Sequence, residues 1–137
     1  MPGYSGTPLP KKLGIKNGYR VSLIGMPAEV RSGLRDALAE CRITKDVAGP
    51  LDFIHIFCKS HVEIEREMKR AAKALAPAGL LWISWPKKSS GVATDLTENI
   101  IRETGLALGL VDVKVCAVTD VWSGLKFVIP LKSRPKN

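Results

Sequence analysis

The residues of this 137-residue chain that are best suited to chemistry lie between Trp82 and Glu98, in the sequence WISWPKKSSGVATDLTE. An apolar strand is expected to end there at Pro86, and two lysines, a Ser-Ser-Gly turn and a helix-capping sequence follow. Ligands of open α/β sheets bind at the carboxyl ends of the strands, because loops diverge there and helix N–H groups point outward. This loop is therefore predicted to bind an anion such as a phosphate.

The predicted anion site combines positive charge, hydroxyl groups and the N-terminus of a helix. That helix is expected to begin near Asp95, although Thr94 is an equally good cap. A hairpin turn at residues 119–124 is expected to reach the same edge of the sheet. Its Trp122 is either a stacking platform for a ligand or a side chain packed against the sheet. The predicted ligand-binding residues are Lys87, Lys88, Ser89, Ser90, Thr94, Asp95, Trp122, Ser123 and Lys126.

The other reactive residue types form no recognisable catalytic or metal-binding pattern. His55 lies in an apolar strand, where a structural histidine is expected, and His61 lies in the first turn of a helix. Cys41, Cys58 and Cys116 form no C-x-x-C pair, and each falls in an apolar pattern typical of a buried, reduced thiol. No metal site is predicted, and the residues favour binding or regulation over catalysis.

Composition predicts one globular domain. The chain is 45% hydrophobic and 25% charged, and its apolar runs are far shorter than the roughly 20 residues that span a bilayer. The N-terminus lacks an apolar h-region, so no secretory signal is predicted and the cytoplasm is the expected compartment. We expect an extended arm at residues 1–18, a domain at 19–131 and a basic tail at 132–137. The excess of the +8 net charge lies in the arm and the tail.

Apolar periodicity predicts strands that alternate with helices. The predicted strands are 19–24, a short edge strand around Ile43, 51–58, 80–85, 111–118 and 126–131. The predicted helices are 27–41, a helix that begins at a capping box of Ser60 and Glu63 and ends at 77–79, and a helix from 95 to 109. This order predicts an α/β fold, a three-layer Rossmann-like sandwich whose mostly parallel sheet ends in an antiparallel hairpin.

Several of these segments resemble known families. Two segments resemble the second half of the S-adenosylmethionine-dependent methyltransferase fold. One runs from Leu51 through Ala-Leu-Ala-Pro-Ala-Gly to Leu-Leu-Trp-Ile-Ser, and the other is Gly-Leu-Val-Asp-Val-Lys-Val before the hairpin. The resemblance implies a reduced methyltransferase-like topology. Nearly the whole chain is also similar to a family of small bacterial proteins known as a domain of unknown function. The similar segments are Tyr-Ser-Gly-Thr-Pro-Leu at residues 4–9, WPKKSSGVATDLTE and Trp-Ser-Gly-Leu-Lys-Phe. This resemblance does not indicate any particular activity.

The methyltransferase resemblance implies S-adenosylmethionine as a cofactor, but the exit of the first strand departs from the family pattern. Such enzymes carry a Gly-x-Gly-like turn there, whereas this chain has Ile24-Gly25-Met26-Pro27, in which Pro27 lacks an N–H donor. Only Asp46 is available to hold ribose hydroxyls. The sequence therefore disfavours S-adenosylmethionine and favours a non-catalytic or regulatory domain that binds an anionic small molecule or protein partner. Methyltransferase activity is the first alternative.

Nucleic-acid binding is the second alternative. Basic segments at both ends of the chain could contact phosphates, and aromatic side chains at Tyr4, Trp85 or Trp122 could stack on bases. No recognised nucleic-acid-binding motif accompanies them. A basic surface without such a motif predicts weak binding that does not depend on base sequence.

Overall fold

The computed structural model describes residues 7–135, which form a six-stranded sheet with helices on both faces. In chain order, the elements are α1 (Leu9–Leu13), β1 (Arg20–Ile24), α2 (Ala28–Gly33), α3 (Arg35–Ala39), β2 (Arg42–Thr44), β3 (Leu51–Phe57), α4 (His61–Ala74), β4 (Leu75–Pro86), α5 (Glu98–Ala107), β5 (Val111–Ala117) and β6 (Trp122–Val128). Short 3-10 turns lie at Lys88–Ser90 and Leu131–Ser133.

The strand order is β2-β1-β3-β4-β6-β5. The first four of these strands are parallel, β6 runs antiparallel to β4, and β5 runs antiparallel to β6. The predicted fold class is therefore confirmed: the chain is a Rossmann-like α/β sandwich with a terminal antiparallel hairpin. The chain passes from β1 to β2 on one side and then returns to β3 on the other side of β1. This reversal creates a topological switch point between β1 and β3.

Strand alternation divides the core into two layers. On one face of the sheet, Ile54 and Ile56 of β3 pack with Ile64 and Met68 of α4 and with Ile101 of α5. The opposite face carries Phe53 and Phe57 of β3 and is covered by α1, α2 and α3 through the buried residues Leu13, Val30, Leu34 and Leu38. Because β3 is buried on both faces, its sequence is apolar except for Asp52 and His55, as predicted for a central parallel strand.

Several element boundaries differ from the sequence prediction. The helix expected to end at 77–79 ends at Ala74, and the strand expected over 80–85 begins at Leu75, because the backbone of Leu75 is already extended. The strand expected to end at 131 ends at Val128. The helix expected over 27–41 is two short helices, α2 and α3, because the backbone leaves helical geometry at Leu34. The helix expected from Asp95 begins at Glu98, since Thr97 is its N-cap and accepts a hydrogen bond from the N–H of Ile100. The last strand begins at Trp122 instead of 126, so residues expected in the hairpin turn belong to β6.

The predicted N-terminal arm is not wholly extended. Residues 9–13 form α1, whose Leu13 is fully buried, so this part of the arm belongs to the packed domain. The rest of the arm prediction on residues 1–6, including Tyr4, and the tail prediction on residues 136–137 lie outside the described part of the chain. Every helix within residues 7–135 is too short or too polar to traverse a bilayer.

A pair of glycine substitutions tests the packing of the first layer. Gly105 of α5 is buried, and a Cβ there would overlap the ring of Phe127 on β6, whereas a Cβ at Gly33 of α2 meets nothing within 4 Å. We expect Gly105→Ala to lower the free energy of unfolding by roughly 1–3 kcal/mol through overpacking. Gly33→Ala should raise it by about 0.4–1 kcal/mol, because alanine restricts the unfolded chain. Urea denaturation measures both values, and a neutral Gly105→Ala variant would contradict this packing.

Candidate functional site

The switch point lies where β1 and β3 end at the carboxyl edge of the sheet. The sheet order places the ends of β2, β1 and β3 side by side, at Thr44, Ile24 and Phe57. In open α/β sheets, the loops that leave two such strands in opposite directions open a crevice for a ligand. Here this position lies between the segment 25–27 after β1 and the segment 58–60 after β3.

Gly25 gives the β1 exit its shape. Its φ of +67° lies in the left-handed region that favours glycine, and a Cβ at this position would lie 2.8 Å from the carbonyl oxygen of Phe57. The glycine therefore allows the β1 exit to approach the end of β3 closely. Pro27 follows as the N-cap of α2 and contributes no N–H donor.

Asp46 supplies a carboxylate two residues beyond β2. Its side chain is exposed, and its main-chain oxygen accepts a hydrogen bond from the hydroxyl of Thr44 at 2.9 Å. Within residues 7–135, no salt bridge involves the Asp46 carboxylate. The carboxylate is therefore accessible at the end of the strand next to β1.

The N-terminus of α4 is already satisfied by side chains of the protein. Ser60 and Glu63 form the predicted capping box: the hydroxyl of Ser60 accepts a hydrogen bond from the N–H of Glu63 at 3.2 Å and donates one to its carboxylate at 3.1 Å. The Asp95 carboxylate accepts a hydrogen bond from the N–H of His61 at 2.8 Å. Asp95 thus caps α4, not the helix that follows it, and its negative charge lies where an anion would otherwise bind.

The loop that was predicted to bind an anion uses several of its polar groups to hold its own shape. The Ser90 hydroxyl donates to the carbonyl of Lys87 at 2.6 Å and accepts from the N–H of Val92 at 3.1 Å. The Thr94 hydroxyl donates to the carbonyl of Lys59 at 2.6 Å. The side chains of Lys88 and Ser89 are exposed, and that of Lys87 is half-buried.

The hairpin reaches the same edge of the sheet, as predicted. Pro86 pairs with Trp122, Trp85 pairs with Ser123, and the N–H of Lys87 donates to the carbonyl of Val121 at 2.7 Å. Lys126 is not brought to this edge, because it pairs with Trp82, further back along β4. The predicted site residues from 87 to 95 and at 122 and 123 therefore lie along one edge, while Lys126 lies apart.

The two tryptophans considered as stacking platforms are buried. Trp122 is 8% exposed and packs edge-on against Phe57, with the ring centroids 5.1 Å apart. Trp85 is 6% exposed and belongs to the core layer under α4 and α5. Of the two alternatives for Trp122, the structure therefore supports packing against the sheet.

Comparison with solved structures finds this fold in proteins that are distant in sequence. The Methanococcus jannaschii fibrillarin pre-rRNA processing protein is 15% identical with a TM-score of 0.52, over 93% of this chain and 70% of that chain. A methyltransferase from Pyrococcus furiosus is 17% identical with a TM-score of 0.56, over 92% of this chain and 84% of that chain. Magnesium protoporphyrin IX methyltransferase from Synechocystis, solved with bound S-adenosylmethionine, is 13% identical with a TM-score of 0.57, over 89% of this chain and 74% of that chain.

These similarities establish a methyltransferase-like Rossmann fold and confirm the distant resemblance expected from the sequence. At such low identity they establish the fold alone. The sequence matches no protein-family model and no curated protein. The similarity to a bacterial domain of unknown function stays a prediction.

The buried histidine and the cysteines have structural environments. His55 is fully buried, its Nε2 lies 2.7 Å from the Ser84 hydroxyl, and its ring stacks on Phe57. Burial lowers the pKa of His55 to about 3, so the ring is neutral at physiological pH. Burial raises the pKa of Cys58 to about 12, which keeps this thiol protonated and unreactive. Within residues 7–135, no group of three His, Cys, Asp or Glu side chains could hold a metal ion.

The buried His55 predicts a loss of stability in acid. Because its folded pKa is about 3 against 6.5 when unfolded, the stabilising effect of a neutral ring is complete above pH 6.5 and is lost as the pH falls towards 3. Between pH 7 and pH 4.5, the loss should be about 2–3 kcal/mol. The double variant His55→Phe, Ser84→Ala removes both partners together and should lose this part of the pH dependence. Urea denaturation at the two pH values tests it, and equal pH dependence in both proteins would contradict the assignment.

Proposed function

We propose that this protein binds S-adenosylmethionine at the switch-point crevice between β1 and β3 and belongs functionally with the methyltransferases. The observation that carries the proposal is the position of Gly25 and Asp46 at the carboxyl ends of the adjacent strands β1 and β2, beside the topological reversal between β1 and β3. The solved structures of the same fold include one with bound S-adenosylmethionine, which supports this choice of ligand.

The chemistry of the crevice favours this ligand over a dinucleotide. A dinucleotide places its pyrophosphate at a helix N-terminus, where N–H groups and the helix dipole attract negative charge. Here Pro27 supplies no N–H at the start of α2, and the Asp95 carboxylate lies at the start of α4. S-adenosylmethionine carries no phosphate, and its single carboxylate is accompanied by an ammonium group and a positive sulfonium, so these two features oppose its binding less than that of a pyrophosphate.

Two residues would hold the cofactor. Asp46 offers carboxylate oxygens that accept hydrogen bonds from ribose hydroxyls, and the left-handed turn at Gly25 sets the path of the chain that leaves β1 beside the ligand. When bound, S-adenosylmethionine supplies an electrophilic methyl group. The chain would orient the cofactor at the carboxyl edge of the sheet. This proposal differs from the prediction from sequence, in which the single glycine and Pro27 disfavour S-adenosylmethionine.

Replacement of Asp46 tests the cofactor site. Asp46→Asn keeps the main-chain contact with Thr44 but removes the charge, so the affinity for S-adenosylmethionine should fall about tenfold, as expected for loss of a charge-assisted hydrogen bond. Asp36→Asn is the matched control, because Asp36 is an exposed carboxylate on α3 away from the crevice. Isothermal titration calorimetry with S-adenosylmethionine and S-adenosylhomocysteine measures both. Absence of binding at millimolar ligand, or equal affinity in the two variants, would overturn the proposal.

A second candidate function is binding of an anionic ligand beside the crevice, which would be a substrate if methyl transfer occurs. The favouring observation is that Lys59 follows β3 while Lys87 and Lys88 follow β4, so three amines end adjacent strands. The bond from Thr94 to the carbonyl of Lys59 joins the two loops. Small phosphorylated molecules and nucleic acid both suit this charge.

The double variant Lys87→Ala, Lys88→Ala tests the second candidate. Loss of two cationic partners should weaken the binding of inorganic pyrophosphate by at least tenfold, measured by calorimetry. Lys69→Ala on α4 is the control, since Lys69 is exposed and lies away from the carboxyl edge. Unchanged pyrophosphate affinity in the double variant would remove this candidate. Binding of a single-stranded RNA should also be measured at several salt concentrations. If the affinity for the RNA falls steeply with salt in the wild-type protein but not in the double variant, nucleic acid is the favoured ligand of this loop.

A further inference from the structure

Three lysines from distant parts of the chain converge on one face of the sheet, on the layer that α1 covers. Lys114 of β5 and Lys126 of β6 are direct partners in the antiparallel register. The Nζ of Lys12 on α1 donates to the carbonyl of Ala117 at 3.1 Å, and the Nζ of Lys114 donates to the carbonyl of Lys12 at 3.1 Å. These two bonds fix α1 across β5 and bring Lys12 next to Lys114, the register partner of Lys126.

The charges of the three lysines act on the thiol of Cys116. Cys116 lies two residues beyond Lys114 on the same face of β5 and pairs with Gly124, which has no side chain. Burial raises the pKa of Cys116, and the positive charges of Lys12, Lys114 and Lys126 oppose that rise. Cys116 therefore lies in a positively charged environment.

This convergence of charge is electrostatically unfavourable in the protein alone. Like charges opposite one another on antiparallel strands are destabilising. Burial, and then the charge of Lys114, lower the pKa of Lys126. Among residues 7–135, no carboxylate forms a salt bridge with any of the three lysines, and the nearby Asp112 is bonded to Arg102 at 2.9 Å.

The ring of Trp82 stabilises part of the cluster. The Nζ of Lys126 lies 5.8 Å from the ring centroid, within the range of a cation–π contact. Lys12 and Lys126 are half-buried, and Lys114 is exposed. A fold that holds three amines in this way, with one of them open to solvent, provides a set of preorganised donors for an external anion.

We propose that Lys12, Lys114 and Lys126 form a binding site for the phosphate group of a small molecule. A phosphate group offers several charged oxygens to amines that approach from different directions, as these do from α1, β5 and β6. Lys12 and Lys126 are half-buried beside the contact between α1 and β5, so a compact phosphate group can reach them more easily than an extended nucleic-acid backbone can. The site is independent of the proposed cofactor crevice, because its lysines lie on the β5–β6 hairpin and α1.

The location of phosphate binding tests the site directly. We expect inorganic phosphate to shift the backbone amide NMR signals of Lys114, Cys116 and Lys126 in the wild-type protein. Lys126→Met keeps an unbranched side chain over Trp82, and Lys114→Met alters an exposed position, so both should fold. Each should weaken phosphate binding at least tenfold. Lys69→Met on the opposite face of the sheet is the matched control and should bind phosphate as the wild type does.

Three results would overturn the proposal. One is equal phosphate affinity in the wild type and in both lysine-cluster variants. Another is loss of phosphate binding in the Lys87→Ala, Lys88→Ala variant with retention in Lys126→Met, since that would locate the anion at the loop after β4. The third is displacement of phosphate from the cluster by a single-stranded RNA that binds more tightly than inorganic pyrophosphate, because the site would then serve an extended polyanion.

Discussion

The indole of Trp82 joins the N-terminal segment to the sheet. Trp82 is fully buried in β4, and its Nε1 donates to the carbonyl of Leu13 at 2.8 Å. On the neighbouring strand, Gly124 leaves space for the ring, since a Cβ there would lie 3.1 Å from the indole. A buried indole N–H without an acceptor would cost roughly 1–3 kcal/mol, so this bond holds α1 on the sheet. This hydrogen bond places Lys12 over β5, next to Lys114. The grouping of Lys12, Lys114 and Lys126 therefore depends on the contact between Trp82 and Leu13.

The carboxyl edge depends in a similar way on the loop that follows β4. Asp95 caps α4 and Thr94 bonds the carbonyl of Lys59, so the loop is fastened to the segment that leaves β3. A helix N-terminus that already contacts a carboxylate is poorly suited to a phosphate. At the same edge, Gly25 follows β1 and the accessible Asp46 follows the neighbouring strand β2. The molecule therefore has two chemically different regions: the carboxyl edge near Gly25, which is poorly suited to a phosphate, and the sheet face that carries Lys12, Lys114 and Lys126.

Much of the fold could be predicted from the sequence because its signals are local. The capping box of Ser60 and Glu63, the two-sided apolar run of β3 and the short connection before β6 each indicate their structure within a few residues. The start of α5 could not be predicted in this way. Asp95 has the spacing of a cap in the sequence, but its carboxylate bonds the N–H of His61, which lies 34 residues earlier in the chain.

The candidate sites could be predicted less well, because they depend on tertiary register. Lys126 was grouped with the loop after β4, but its register with Trp82 and Lys114 places it on the lysine-rich face. No local pattern connects Lys12 with Lys114, which lie 102 residues apart. Gly25 and Asp46 were visible in the sequence, yet their value depends on the strand order that brings β2, β1 and β3 side by side.

The central claim is that the crevice between β1 and β3 binds an adenosyl ligand. Titration of isotope-labelled protein with S-adenosylhomocysteine, followed by backbone amide NMR shifts, tests it most directly. We expect the largest shifts at Gly25, Met26, Asp46 and Lys59, with little change at Lys126. No shift at millimolar ligand, or shifts centred on Lys114 and Lys126, would contradict it.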